Sequence, residues 1–403
     1  MKKQKKSKKS YSVGHIHWAF TPVIGGVETH LKILLSEMKN YGHKIALLTA
    51  DSQGRPKKEK IGGIDVYRTP LLNLDLLLEK EAKNGDIDLK KLYLDFIERI
   101  KADIIHVHNM HYFSKKHIKV LEKICARKGI PIVLTAHNVW DDGMYLDIVK
   151  SVNWSHIIAV SHYIKRELWG IGINENKITA IHHGIDTDIY RPGVRADRIL
   201  RKYPILKGKR IIFHPARISL AKGCDVSVKA MNIVRRHLKD TVLVLAGSKN
   251  IVDWNERQHK DIEYIKELIL KLGMEKQVVI DSFDQREMVE LYNLSEAALY
   301  PSTAQEPFGL TMLESQACGV PIIVTYSGGM IEVIHDKING FVVPTGDFSQ
   351  VAYRIMFLLG DTEMRKKMGR TGRDIVRYHY TKEMMVERNI EIYRKVMGEK
   401  TDF

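Results

Sequence analysis

A chain of 403 residues, 44% apolar and 28% charged, has the balance of a globular protein and is too long for one ordinary hydrophobic core, so two domains of roughly 180 to 200 residues are expected. No apolar run approaches the roughly 18 residues of a membrane span, and the opening MKKQKKSKKS lacks the hydrophobic stretch of a signal peptide, which predicts a cytoplasmic protein. The net charge is +16, but six lysines within residues 1–10 supply over a third of it and no nucleic-acid-binding motif accompanies the rest, which argues against a nucleic-acid partner.

Residues 1–10 read as a disordered basic tail, either simply solvated or drawn to an anionic membrane surface at about 1 kcal/mol per basic residue. From residue 11 to 185 short apolar runs, SVGHIHWAF, KIALLTA, DIIHVHN, PIVLTAHN, HIIAVS and KITAIHHG, alternate with amphipathic stretches such as VETHLKILLSEMKNY. Alternation of this kind predicts a parallel sheet covered by helices. After the first run, TPVIGGVETH sets Gly25 and Gly26 before a helix, where they allow a close backbone turn and an anion-friendly helix start. No G-x-G-x-x-G dinucleotide fingerprint occurs. His106, His108 and His111 have ligand-capable spacing, but packing is the expected role. The three cysteines, Cys125, Cys224 and Cys318, lack any metal spacing and are expected to be reduced packing residues.

Residues 186–209, with Arg191-Pro192-Gly193, break the rhythm and are the expected linker. Their Asp186-Thr187-Asp188 is a DxD, the signature of metal-using transferases of another fold; here turn and helix-capping roles are expected, and no metal. The alternation resumes over residues 210–379 with RIIFHPAR, TVLVLAGS, QVVIDSF, EAALYPS, VPIIVT and GFVVPT. A final helix at about 380–397 has no strand after it and is expected to pack back on the first domain. In HPARISLAKG, Arg217 leaves a strand end and Lys222 lies in the next loop, an arrangement suited to the charge that develops on a departing diphosphate.

The stretch PSTAQEPFGLTMLESQACGVP carries Glu306 and Glu314 eight positions apart. Pro307 and Gly309 disfavour helix, whereas LTMLESQA is a helical pattern closed by Gly319, so Glu306 precedes the helix and Glu314 sits on it. A glycosidase pair needs carboxylates about 5 to 9.5 Å apart, and this spacing implies about 10 Å or more. Two carboxylates so placed suit the hydroxyls of two sugars separated by a diphosphate, with the free N–H groups of Leu310 and Thr311 at the helix start holding the phosphates.

The motifs GGVETH, HVHNMH, TAHN, VSHYIKREL, HHGIDTDIYRP, ARISLAKG and EPFGLTMLESQACGVPIIVTYSGGMIEVI extend over nearly the whole chain. With them the sequence resembles the fourth family of retaining glycosyltransferases (glycosyl transferases group 1). The resemblance implies the GT-B fold, two doubly wound Rossmann-like α/β domains facing across a cleft, the first on the acceptor side and the second binding a nucleotide sugar. It implies that Arg217 and Lys222 hold the diphosphate, that Glu306 binds the transferred sugar and that Glu314 binds the ribose. It further places Phe308, Gly309, Leu310 and Thr311 against sugar and phosphate, Phe283 near the base, Gly25 and Gly26 at the diphosphate, and His137 beside the sugar at the reacting centre. Ser282 stands where the family usually has glycine. The implied activity is hexosyl transfer with retention, without metal or other cofactor, from a nucleotide-diphosphate sugar (a UDP-sugar favoured, a GDP- or ADP-sugar open) to an acceptor the sequence does not name. A phosphorylase or sugar-nucleotide epimerase of the same fold, or a non-catalytic nucleotide-sugar-binding protein, is the alternative.

Overall fold

In the computed structural model, which describes residues 9–23, 25–52, 54–73, 86–109, 115–138, 143–247 and 256–399, the alternating pattern becomes two sheets in two separate units. The first unit takes Met1–His183 and Lys382–Phe403, the second Gly184–Thr381. The tail residues 1–8 and His111 lie outside the described residues.

The sheet of the first unit runs in the order β3-β4-β2-β1-β5-β6-β7-β8. Its strands are β1 (Ser12–Ile16), β2 (Lys44–Ala50), β3 (Lys58–Ile61), β4 (Ile64–Thr69), β5 (Ile104–His108), β6 (Ile132–Ala136), β7 (His156–Ala159) and β8 (Ile178–Ala180). All pairings are parallel except β3 with β4. Between them stand α1 (Gly26–Asn40), α2 (Asp86–Ile100), α3 (Lys115–Lys128), α4 (Gly143–Ser151) and α5 (His162–Gly170). Strands such as β1, β5 and β6 are buried along their whole length, as strands covered on both faces must be.

The apolar pattern of the sequence does not reveal the β3–β4 hairpin. Its first strand, KEKI, is charged and lies at the sheet edge, so it carries little apolar signal. The marker was the Gly62-Gly63 pair, both residues at positive φ (58° and 78°), as a two-residue hairpin turn requires.

The second sheet runs β11-β10-β9-β12-β13-β14, all parallel. Its strands are β9 (Arg210–His214), β10 (Thr241–Gly247), β11 (Val278–Ser282), β12 (Ser295–Tyr300), β13 (Ile322–Thr325) and β14 (Gly340–Val343). Its helices are α6 (Asp197–Lys202), α7 (Cys224–His237), α8 (Glu256–Lys271), α9 (Gln285–Leu294), α10 (Leu310–Ala317), α11 (Met330–Val333), α12 (Phe348–Gly360) and α13 (Thr362–His379). Each unit is therefore an α/β layer on a parallel sheet with its own apolar core, one around Leu34, Leu47 and Val133, the other around Val228, Leu243 and Leu299.

Residues 186–209 differ from the expected linker, because they group with the second unit. The backbone N–H of Ile199 in α6 donates to Glu290 of α9 at 3.0 Å, and Arg198 pairs with Asp284 at 2.8 Å. Pro-Gly punctuation marked a break in the strand rhythm, while these docking contacts between elements far apart in sequence left no local trace. The last helix, α14 (Lys382–Val396), belongs to the first unit, where Met385, Val386, Ile390 and Tyr393 join the core. Among the described residues no helix is long and apolar enough to cross a membrane.

Candidate functional site

In the second unit three loops at the carboxyl ends of neighbouring strands β9, β12 and β13 interlock. After β9 a short 3-10 turn (Leu220–Lys222) leads to Gly223 at φ 74°, and a Cβ there would stand 1.9 Å from the carbonyl oxygen of Pro301. The carbonyl of Ala221 accepts from the N–H of Thr303 and the hydroxyl of Ser302, at 3.0 and 2.9 Å. After β13, Gly328 at φ 52° leaves room for the Glu306 carbonyl, which a Cβ would approach to 2.1 Å, and the Gly329 N–H donates to that carbonyl at 2.8 Å. Backbone contact this close admits glycine alone. The effect is to fix Glu306 against the loop that carries Lys222.

Glu306 is 8% exposed, and its Oε2 accepts from both Lys222 Nζ and the Tyr300 hydroxyl, each at 2.6 Å. Burial by itself lowers the lysine pKa, but the Glu306 carboxylate and the Tyr300 oxygen outweigh it, so the ammonium is held above its ordinary range. Burial and the same carboxylate push the Tyr300 phenol up, which keeps it a donor. Tyr300 is the last residue of β12, and no spacing in the sequence marked it.

Gly309, at φ 89°, caps α10, and no side chain caps the helix start. Phe308 is buried, with its ring 6.2 Å from that of Tyr380, while Leu310 and Thr311 are half-buried in the first turn. Among the described residues the Thr311 hydroxyl is buried without a hydrogen-bond partner. Glu314 is also 8% exposed; its Oε2 accepts from the Tyr292 hydroxyl at 2.8 Å, and Tyr190 lies close enough to act on it. Burial raises the Glu314 pKa, partly offset by the two phenols. Thus each glutamate is held by a tyrosine that sequence reasoning missed. Arg217 is half-buried in the loop after β9. Phe283 packs edge-on to Tyr203 at 5.7 Å, with Lys202 Nζ 5.6 Å from its ring. Ser282 is half-buried at the end of β11. The Asp186 carboxylate accepts from the N–H groups of Asp188 and Ile189, at 3.0 and 3.3 Å, as a turn residue does.

In the first unit Gly25 is the extended residue before α1 and Gly26 its first. His137 follows β6, fully buried, and its backbone N–H donates to Asn109 Oδ1 at 2.8 Å. Asn109 itself adopts φ 51° at the end of β5, a conformation its short amide tolerates. His137 is not alone. The sequence carries two H-x-H pairs, His15/His17 and His106/His108, and parallel pairing sets His15 opposite His106. His15 Nδ1 lies 3.0 Å from His108 Nε2, and His108 Nδ1 lies 3.2 Å from His137 Nε2. His30 of α1 brings its ring centroid to 5.0 Å from that of His137. His17 bridges the His108 carbonyl and Glu28, both at 3.0 Å. His106 bridges Tyr393 and Thr135, both at 2.7 Å. Burial drives the pKa of His15 down to about 3 and those of His30, His106, His108 and His137 well below the ordinary 6.5.

One ring nitrogen each from His30, His108 and His137 lie within 4.8 Å of one another, as do those of His15, His106 and His108. His108 is shared between the two groups, and both its ring nitrogens already face an imidazole.

Residues 196–375 match the model of Glycosyl transferases group 1, and residues 24–189 that of Glycosyltransferase Family 4. Spore coat protein SA of Bacillus subtilis (strain 168) is 30% identical over 374 residues, which cover 88% of this chain and 90% of that protein. A glycosyltransferase from Rickettsia africae ESF-5 superposes with a TM-score of 0.80 at 22% identity over 97% of this chain and all of that one. HepE of Anabaena, solved in complex with UDP and glucose, gives a TM-score of 0.77 at 17% identity over 95% of this chain and 99% of that one.

Proposed function

This chain belongs to the glycosyl transferases group 1 family and has the GT-B fold, and from that premise we propose that it moves a hexose from a nucleotide-diphosphate sugar to an acceptor hydroxyl with retention of configuration. The observation that carries the reading is the Lys222–Glu306–Tyr300 constellation beside the uncapped start of α10. Both donors take Oε2 of Glu306, so Oε1 is the atom we assign to a hydroxyl of the sugar. Lys222, Arg217 and the first-turn N–H groups of α10 face the diphosphate; Glu314, already oriented by Tyr292, takes the ribose; Phe283 stands at the base. By resemblance to the family, Gly25, Gly26 and His137 are the first unit's residues assigned to donor binding. As the bond from the anomeric carbon to the diphosphate oxygen breaks, fixed positive charge stabilises the departing diphosphate, the acceptor oxygen bonds to the same face, and its proton passes to a diphosphate oxygen. No step uses a metal.

A UDP-sugar is the proposed donor, because a protein of the same fold was solved with UDP and glucose. The test is a thermal-shift panel of UDP-, GDP- and ADP-sugars with the matching diphosphates, since a ligand that binds only the folded state raises its melting temperature. The donor is then used to form product, whose anomeric configuration is read by NMR. No shift with any nucleoside diphosphate, or turnover that demands free phosphate, overturns the proposal.

A further inference from the structure

His15, His108 and His137 form a chain of three imidazoles whose facing nitrogens lie 3.0 and 3.2 Å apart. All three are essentially excluded from solvent, and desolvation holds each of them neutral. A neutral imidazole carries one N–H and one lone pair. The protons along the chain therefore have only two consistent arrangements, Nδ1–H on all three rings or Nε2–H on all three. Any mixture sets two lone pairs or two N–H groups against each other at hydrogen-bond distance.

The chain ends separate the two arrangements. His15 Nε2 and His137 Nδ1 are both buried without a partner among the described residues. With Nε2–H throughout, the unpaired donor is His15 Nε2, on β1 between its neighbours β2 and β5. With Nδ1–H throughout, it is His137 Nδ1, which an oxygen of the transferred sugar satisfies if His137 stands where the proposed function puts it. An unpaired buried N–H is costly, so the arrangement that a ligand can complete is favoured once the ligand binds.

We infer that His15 and His108 are positioning residues that hold His137 as the Nδ1–H tautomer, so that His137 donates a hydrogen bond to a ligand oxygen and does not act as a base. The choice of Nδ1–H and the ligand contact rest on the proposed place of His137 beside the transferred sugar; the sharing of one tautomer by the three rings does not. His17 supports the middle of the chain by bonding the His108 carbonyl, and the Asn109 amide fixes the His137 backbone, so the ring positions are set independently of any ligand.

The experiment uses the full chain with 15N-labelled histidine, whose ring nitrogens report directly which atom bears the proton. In the ligand-free protein His15, His108 and His137 should share one tautomer. Opposite tautomers on His108 and His137 overturn the lock. On saturation with UDP-glucose as the probe, His137 should read Nδ1–H with its Nδ1 resonance displaced. An Nε2–H reading in that complex overturns the donor role. UDP-glucose that binds without displacing the Nδ1 resonance also overturns the donor role and leaves the lock standing. A probe that fails to bind overturns the UDP-glucose reading of the site, while the ligand-free spectrum still judges the lock. His108→Phe should free His137 from its partner and lower kcat with UDP-glucose about tenfold at unchanged affinity for UDP; an unchanged His137 tautomer in this variant overturns the coupling. Should the variant not fold, the wild-type spectra decide alone.

Discussion

His137 of the first unit and Glu306 of the second are both buried, yet the two units handle charge in opposite ways. His137, at 3% exposure, lies in a cluster that includes His15, His30, His106 and His108 and is neutral, because desolvation opposes the proton and the neighbouring rings offer only like charge. Glu306, at 8% exposure, pairs with the half-buried Lys222, so the lysine keeps its charge despite desolvation. Burial therefore does not dictate ionisation; the available counter-charge does. Neutral imidazoles suit hydrogen bonding and shape, whereas a held ammonium suits a diphosphate on which charge is growing.

Acid should break this comparison most forcefully. A histidine whose folded pKa lies below its unfolded value contributes nothing adverse above about pH 6.5, but the unfolded chain binds its proton first as the pH falls from there toward the folded pKa, and stability is lost across that window. Each such group loses up to about 1.4 kcal/mol per pH unit. His15, His30, His106, His108, His137 and His183 all lie in the first unit, while His214 is the second unit's counterpart. Hydrogen exchange followed peptide by peptide below pH 6 should show the first unit opening while the second stays protected. Simultaneous opening would mean that the histidines are not neutral in the native state.

Substitution of Lys222 by Ala should lower kcat by about 10²- to 10³-fold, the loss expected when one preorganised group facing a developing charge is removed. Turnover close to wild type in this variant would sink the diphosphate assignment. Next in size is a divergence between the two glutamates. Glu306→Gln should lower kcat strongly and leave affinity for the nucleoside diphosphate nearly intact, whereas Glu314→Gln should weaken donor and diphosphate alike, a uniform binding loss seen in KM. Isothermal titration beside steady-state kinetics separates them, and equal losses of diphosphate affinity would show that the carboxylates do not divide the ligand. The smallest effect belongs to Tyr300→Phe, which leaves Lys222 on Glu306 Oε2 and removes one hydrogen bond to a charged group, about tenfold in kcat. A hundredfold drop would make the phenol a participant equal to the lysine.

Residues that act through local spacing are legible in the sequence itself. The E-x7-E stretch shows its carboxylates on either side of a helix start because Pro307 and Gly309 stop the helix where Leu310 begins it. Alternating apolar runs show the α/β class because a strand buried on both faces must be apolar throughout. The β3–β4 hairpin escapes such a reading since its edge strand is charged, although Gly62-Gly63 announces the turn.

By itself the sequence determined which residues could carry chemistry and which backbone shapes they sit on: glycine where φ is positive, apolar runs where strands are covered, a helix start after Gly309. The tertiary structure alone decided their partners. Tyr300 reaches Glu306 across a strand end, Tyr292 reaches Glu314 from the preceding helix, and His15 meets His108 because β1 and β5 pair although about ninety residues separate them. Local spacing follows from the fixed rise of a helix or strand, but pairing over long sequence distances depends on which faces bury each other, and protonation follows from that burial.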